Sequence, residues 1–190
     1  MKLQSVIVPA LVAAAVIGGY ILFSFPDKPP VPQQPSQTNK IPTEFSLSSL
    51  AFANDGQIPE RHTCDGENIS PPFAIANIPD KAKSLVFVMD DPDAPVGTWT
   101  HWVLWDIPPT VVEIAEGKVP EWAVEGMTSS GKPGYSGPCP PSGSHRYFFT
   151  IYALDELLRF NNQTTRKELE SAMTSHLVGQ AHFFGRYSRK

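Results

Sequence analysis

A chain of 190 residues has room for one ordinary domain with attachments and for a substantial hydrophobic core. Its 15 Lys and Arg against 19 Asp and Glu leave a net charge of −4, which argues against broad electrostatic attraction to nucleic acid or anionic lipid. Any anion site must therefore be local, built from a few placed donors, and the 20 prolines favour strands joined by stiff turns.

In chain order, the first object is an uncharged apolar run over residues 6–25, preceded only by Lys2 and the amino terminus. A helix of about 20 residues spans the ~30 Å of a bilayer core. Residues 1–25 thus read as a signal anchor or a cleaved signal peptide, and the bulky end, Tyr20 to Phe25, favours the anchor. A positive amino end kept in the cytoplasm predicts a membrane-anchored chain whose remainder is extracytoplasmic, periplasmic or cell-surface. Residues 26–43 read as a Pro-rich, semi-rigid tether. Residues 44–190 carry the folded domain.

Within that domain, residues 44–52 alternate through Phe45, Leu47 and Leu50 and open a sheet, and Asn54-Asp55-Gly56 marks a turn. Residues 59–72 read as an ordered loop. Residues 84–89 are apolar with no polar face, which predicts a central strand covered on both sides. Strict alternation over 99–107 puts Trp99, His101, Val103, Trp105 and Ile107 on one face and Thr100, Trp102, Leu104 and Asp106 on the other. The Gly-, Pro- and Ser-rich stretch 126–144 is long for a structureless loop, which makes it a candidate functional loop. A third strand over 145–154 aligns His145, Tyr147, Phe149 and Ile151. Thr164 or Thr165 caps a helix through about residue 178 with Leu169, Ala172, Met173 and Leu177 as its stripe, and a strand over 181–187 follows. Cys64 and Cys139, the only cysteines, fit either one disulfide or two buried thiols.

The chemistry gathers where strands end. Asp91-Pro92-Asp93-Ala94-Pro95 leaves the apolar strand, His101 lies near the start of the next, and Gly143-Ser144-His145-Arg146-Tyr147 follows the long loop. Each piece alone is a strand exit or a satisfied core histidine. Together they place acid, imidazole and phenol groups at one sheet rim, where pockets form. A carboxylate beside an imidazole favours the charged ring. With loop N–H groups from Gly137 to Gly143, the expected result is a donor-rich nest for a phosphate or carboxylate. Tyr147 adds a hydroxyl, and Trp99, Pro140 and Pro141 add apolar walls. Arg146 points to the opposite face as a structural ion-pair partner.

These pieces, with Thr63-Cys64-Asp65-Gly66-Glu67-Asn68-Ile69-Ser70-Pro71 and Tyr135-Ser136-Gly137-Pro138-Cys139-Pro140-Pro141, resemble the phosphatidylethanolamine-binding proteins, also called Raf kinase inhibitor proteins, and especially their bacterial branch. The resemblance covers residues from about 44 to 188. It implies a mainly β, sandwich-like fold with a large antiparallel sheet, a smaller sheet and peripheral helices. It implies a pocket for phosphate-like anions or a phospholipid head group, made here by Asp91, Ala94, Pro95, Trp99, His101, Pro140, Pro141, His145 and Tyr147. Asp93 and Arg146 belong to the motifs in a structural role. The gating helix found at the C-terminus of animal members is not expected here, so no ligand contact is carried over there.

Rival readings are a protein-interaction module, such as a protease inhibitor or adaptor with an unknown partner, and a hydrolase or metal-binding enzyme using the Asp/His cluster. Ser136 lacks the spacing of a nucleophile elbow, and no nucleophile–base–orienter set is evident. Cys139 and His145 could pair as thiolate and imidazole only if Cys139 is not bonded to Cys64. No catalytic residue, metal ligand or cofactor is assigned, and no nucleic-acid partner is expected.

Overall fold

The computed structural model describes residues 44–189. In chain order its elements are β1 (Ser46–Ser48), β2 (Gly56–Gln57), a 3₁₀ turn (Glu60–His62), β3 (Phe73–Ala76), β4 (Ser84–Asp91) and β5 (Trp99–Ile107). There follow β6 (Glu113–Ile114), β7 (Val124–Glu125), β8 (Ser144–Leu154), α1 (Arg166–Met173) and β9 (Leu177–Ser188). Two sheets form, a small one in the order β1-β3-β6 and a large one in the order β2-β9-β8-β4-β5-β7. The fold is mainly β, as expected, with α1 as the only α-helix among the described residues.

Strand β4 is central, between β8 and β5, and its alternation explains the two-sided burial. Leu85, Phe87 and Met89 enter the core between the sheets, where Phe73 and Phe149 stack tilted with centroids 4.8 Å apart. Val86 and Val88 face the other way, into a smaller core with Trp105, Leu169 and Met173 beneath α1. The alternation continues into the last two residues. Asp90 accepts from Thr100 Oγ1 at 2.8 Å and from Arg166 Nε at 3.0 Å, fastening α1 to the sheet, while Asp91 turns to the opposite face.

Strand β5 departs from strict alternation. Its pairing with β4 steps from Leu85↔Ile107 to Phe87↔Leu104, and again from Met89↔Trp102 to Asp90↔Thr100. Each step leaves one extra residue on β5. Asp106, with φ of 54°, takes up the first and His101 the second. Trp102 and Leu104 therefore share the inter-sheet core with Ile107, whereas Val103 and Trp105 lie under α1. Simple alternation assigns these faces wrongly because each bulge shifts the phase by one.

The ends of elements also differ from the sequence reading. Helix α1 stops at Met173 rather than near residue 178, because Leu177 and Val178 already belong to β9 and pair with β8. Thr165 is its cap, accepting from Glu168 N while Glu168 Oε2 accepts from Thr165 N at 2.8 Å, a complete capping box. The first strand covers only Ser46–Ser48, and Leu50 is 95% exposed.

The expected membrane anchor requires correction. Among the described residues no helix is long and apolar enough to cross a membrane. The eight residues of α1 reach about 12 Å, against ~30 Å of bilayer core. The apolar run at 1–25 and the Pro-rich run at 26–43 lie outside the described residues. The transmembrane helix, the membrane as partner and the extracytoplasmic placement built on those runs are set aside.

Candidate functional site

At the rim of the large sheet, the ends of β4, β5 and β8 surround a cavity of about 370 Å³. All nine residues expected for ligand binding line it: Asp91, Ala94, Pro95, Trp99, His101, Pro140, Pro141, His145 and Tyr147. Val96 and Ser136 also line it and carried no sequence signal of that role beyond their place beside the motifs, and so do Gly137 and Cys139 from the stretch expected to supply N–H groups.

The polar floor is fixed by its own bonds. Asp91 is buried, and its Oδ2 accepts from His145 Nδ1 at 2.7 Å while its Oδ1 accepts from Asp93 N at 2.8 Å. His101, placed by the bulge in β5, donates from Nδ1 to the Ser136 carbonyl at 2.6 Å. The Ser136 N–H donates back to His101 O at 3.0 Å. In both imidazoles Nδ1 faces a group that accepts only, so Nδ1 carries the proton and Nε2 is the uncommitted nitrogen. Burial is the main influence on His101 and lowers its pKa, although the Ser136 carbonyl and Asp91 act the other way. At His101 burial thus outweighs the nearby carboxylate and favours the neutral ring, contrary to the simple expectation.

Tyr147 lies between the two imidazoles, edge-on to His101 at 5.3 Å and stacked with His145 at 6.4 Å. Its side chain is fully buried, and its Oη has no hydrogen-bond partner among the described residues. The Cys139 N–H and the Asp91 carboxylate lie close enough to act on it as hydrogen-bonding neighbours, but neither reaches full hydrogen-bond geometry. Burial first, and then Asp91, raise its pKa, so it remains a protonated donor. A buried hydroxyl without a partner costs about 1–3 kcal/mol unless something fills the role.

The acidic turn is clipped in place beside this floor. Arg146 donates from Nε and Nη2 to the two oxygens of Asp93 at 2.8 and 2.6 Å, and its backbone N–H adds a bond at 2.9 Å. That guanidinium holds the Asp93 carboxyl at about 2. Arg146 faces away from the cavity, with its guanidinium 5.7 Å from the Phe148 ring centre.

Of the loop expected to supply a nest of N–H groups, Gly137 and three prolines offer none to the cavity. Gly137 N–H is already donated to Asn68 Oδ1 at 2.8 Å, and Pro138, Pro140 and Pro141 have no N–H. The loop instead forms a stitched wall. Tyr135 Oη donates to His62 O at 2.6 Å, Cys64 N–H donates to Pro138 O at 3.1 Å, and Cys64 and Cys139 form a disulfide with Cα atoms 5.4 Å apart. That bond removes the thiolate reading of Cys139. Gly137 is required there, since a Cβ would lie 2.5 Å from His62 O.

No three His, Cys, Asp or Glu side chains converge as a metal site among the described residues. A second cavity of about 360 Å³ adjoins at Pro141, but its Asp65 already accepts from Tyr187 Oη at 2.7 Å and Arg189 Nε at 3.1 Å.

Comparison with known proteins gives concordant results. A family model described as phosphatidylethanolamine-binding protein matches residues 48–188. A UPF0098 protein of Methanothermobacter thermautotrophicus is 47% identical over 150 residues, 76% of this chain and 99% of that one. One from Aquifex aeolicus is 45% identical over 152 residues, 76% of this chain and 89% of its own. The crystal structure of a putative phosphatidylethanolamine-binding protein homologue from Chlamydia trachomatis superposes with a TM-score of 0.76 at 38% identity, covering 78% of this chain and all, 100%, of that one. E. coli YbcL, described as a member of the mammalian family, gives 0.73 at 28% identity over 77% of this chain and 99% of its own.

Proposed function

Since the chain belongs to the phosphatidylethanolamine-binding protein family, we propose that its cavity binds a small anion, phosphate or a phospholipid head group, and that it acts by binding, in a regulatory role, without catalysis. The observation that carries this reading is the Tyr147 hydroxyl, buried in the cavity without a partner between two imidazoles that each keep Nε2 uncommitted. An anion oxygen accepts from Tyr147 Oη, and a proton taken up at Nε2 of His101 or His145 adds a charge-assisted bond. Asp91 stabilises the resulting His145 imidazolium through Nδ1. Ala94, Pro95, Trp99, Pro140 and Pro141 form apolar walls that keep bulk water from competing for those donors. The domain over 44–190 carries this function, with 26–43 as a linker outside it.

The test is an NMR titration of the chain with phosphate and with phosphorylethanolamine. Saturable shifts are expected at His101, His145 and residues 135–147, and the His145→Ala variant is expected to lose them while staying folded. An unshifted spectrum at millimolar ligand, or wild-type affinity in the variant, transfers the function to the protein-interaction reading.

A further inference from the structure

The wall of the cavity depends on a bond that solvent can reach. From Ser136 onward the wall is held by the reciprocal His101–Ser136 pair, by Gly137 N–H on Asn68, by Cys64 N–H on Pro138 O, and by the disulfide at Cys139. Beyond Cys139, Pro140 and Pro141 have no N–H with which to anchor themselves before β8 begins at Ser144. The disulfide is thus the covalent fastening of the segment that lies against Tyr147, beside the packing of the buried Pro140. Cys64 and Cys139 are both exposed, and Cys139 also lines the cavity. Exposed disulfides are the ones open to thiol exchange.

We propose that the Cys64–Cys139 disulfide is a redox gate on the anion pocket: intact it fixes the Cys139–Pro141 wall, and reduction by a dithiol releases that wall and weakens anion binding. The inference rests on the anion reading above. A dithiol thiolate attacks one sulfur, a mixed disulfide forms and the other cysteine leaves as thiolate. The second thiol of the reductant then displaces the remaining cysteine. The reductant becomes a disulfide, and the protein gains two electrons and two protons as Cys64 and Cys139 thiols. Linkage makes the coupling reciprocal, so bound anion must protect the disulfide by the same factor by which the disulfide favours the anion.

The experiment compares phosphate binding by calorimetry to oxidised chain, to chain reduced with dithiothreitol, and to the same chain reoxidised. Reduction is expected to weaken phosphate binding at least ~5-fold, reversibly, and saturating phosphate to raise the dithiol needed for half-reduction by the same factor. Equal affinity in the two redox states overturns the gate. Far-UV circular dichroism checks that the reduced chain is folded at the temperature used. If it is not, Asn68→Gly in the oxidised chain loosens the same wall and tolerates the φ of 56° at that position. Its phosphate affinity is then expected to fall, and unchanged affinity also overturns the gate. If oxidised chain binds no phosphate, the anion reading fails by itself. The release of the wall is then scored alone, by amide hydrogen exchange at Ser142 and Gly143, which must quicken on reduction, and unchanged exchange overturns it.

Discussion

His101 is the residue on which the pocket's pH response turns. Burial lowers its pKa, so the folded chain prefers the neutral ring while the unfolded chain takes up a proton near the ordinary value of about 6.5. The unfolded state therefore binds more protons. The contribution of His101 to stability is complete above that value and is lost as pH falls through its lower folded pKa. An anion held by the imidazolium reverses this preference. Sulfate, whose charge is constant in this range, is expected to raise the Tm more at about pH 5.5 than at about pH 7.5. Thermal scans check this, with His101→Gln expected to flatten the trend. A sulfate effect that is equal at both pH values removes the imidazolium from the binding step. Asp93 acts in a separate window: with its carboxyl at about 2, its contribution is present above the ordinary carboxylate range and is lost as pH falls toward that value.

At the scale of elements, the site lies on one face of the large sheet and α1 on the other, joined through consecutive residues of β4. Thr165→Ala removes a complete capping box and is expected to cost about 1 kcal/mol of stability. Sulfate affinity is expected to stay unchanged, because the helix contacts Val86, Val88 and Asp90 rather than the floor of the pocket. A measured loss of affinity in that variant would show the two faces to be coupled. Much of this was legible in the sequence. The apolar run of β4, the rows of β8 and the clustering of Asp91, His101, His145 and Tyr147 follow from period-two alternation and from the cost of burying polar groups. The faces of β5 were not legible, since a bulge leaves no mark on the hydrophobic pattern until the partner strand fixes the register. The two-residue strands β2, β6 and β7 exist only by tertiary pairing. Helix α1 was over-extended because Leu177 fits both a helical stripe and the start of a strand.

At the scale of the whole molecule, the chain closes through distant partners. Gly56 pairs with Gly185, Ser84 with Leu154, and the disulfide spans 75 residues. Almost no element is completed by its sequence neighbour alone, so most of the loop-closure entropy is spent before pairing stabilises the sheet. The disulfide-intact chain is therefore expected to refold in milliseconds to seconds, followed by stopped-flow tryptophan fluorescence. Refolding in microseconds would contradict the non-local pairing described here. The same topology explains what sequence reading could not reach. Which cysteine state holds, and which loop N–H groups are already committed, are settled by segments about seventy residues apart, such as Asn68 with Gly137.

The opposed carboxylates at the end of β4 constrain how this protein can drift over evolutionary time. Gaining or losing one residue inside the strand would exchange Asp90 and Asp91, putting the partner of Arg166 into the pocket and the partner of His145 beneath the helix. Both attachments survive only changes in pairs, or a single residue absorbed by a bulge as in β5. Length variation among descendants should therefore collect in the connections, such as residues 108–112 and 155–164, while β4 keeps its span even where most of its side chains are replaced.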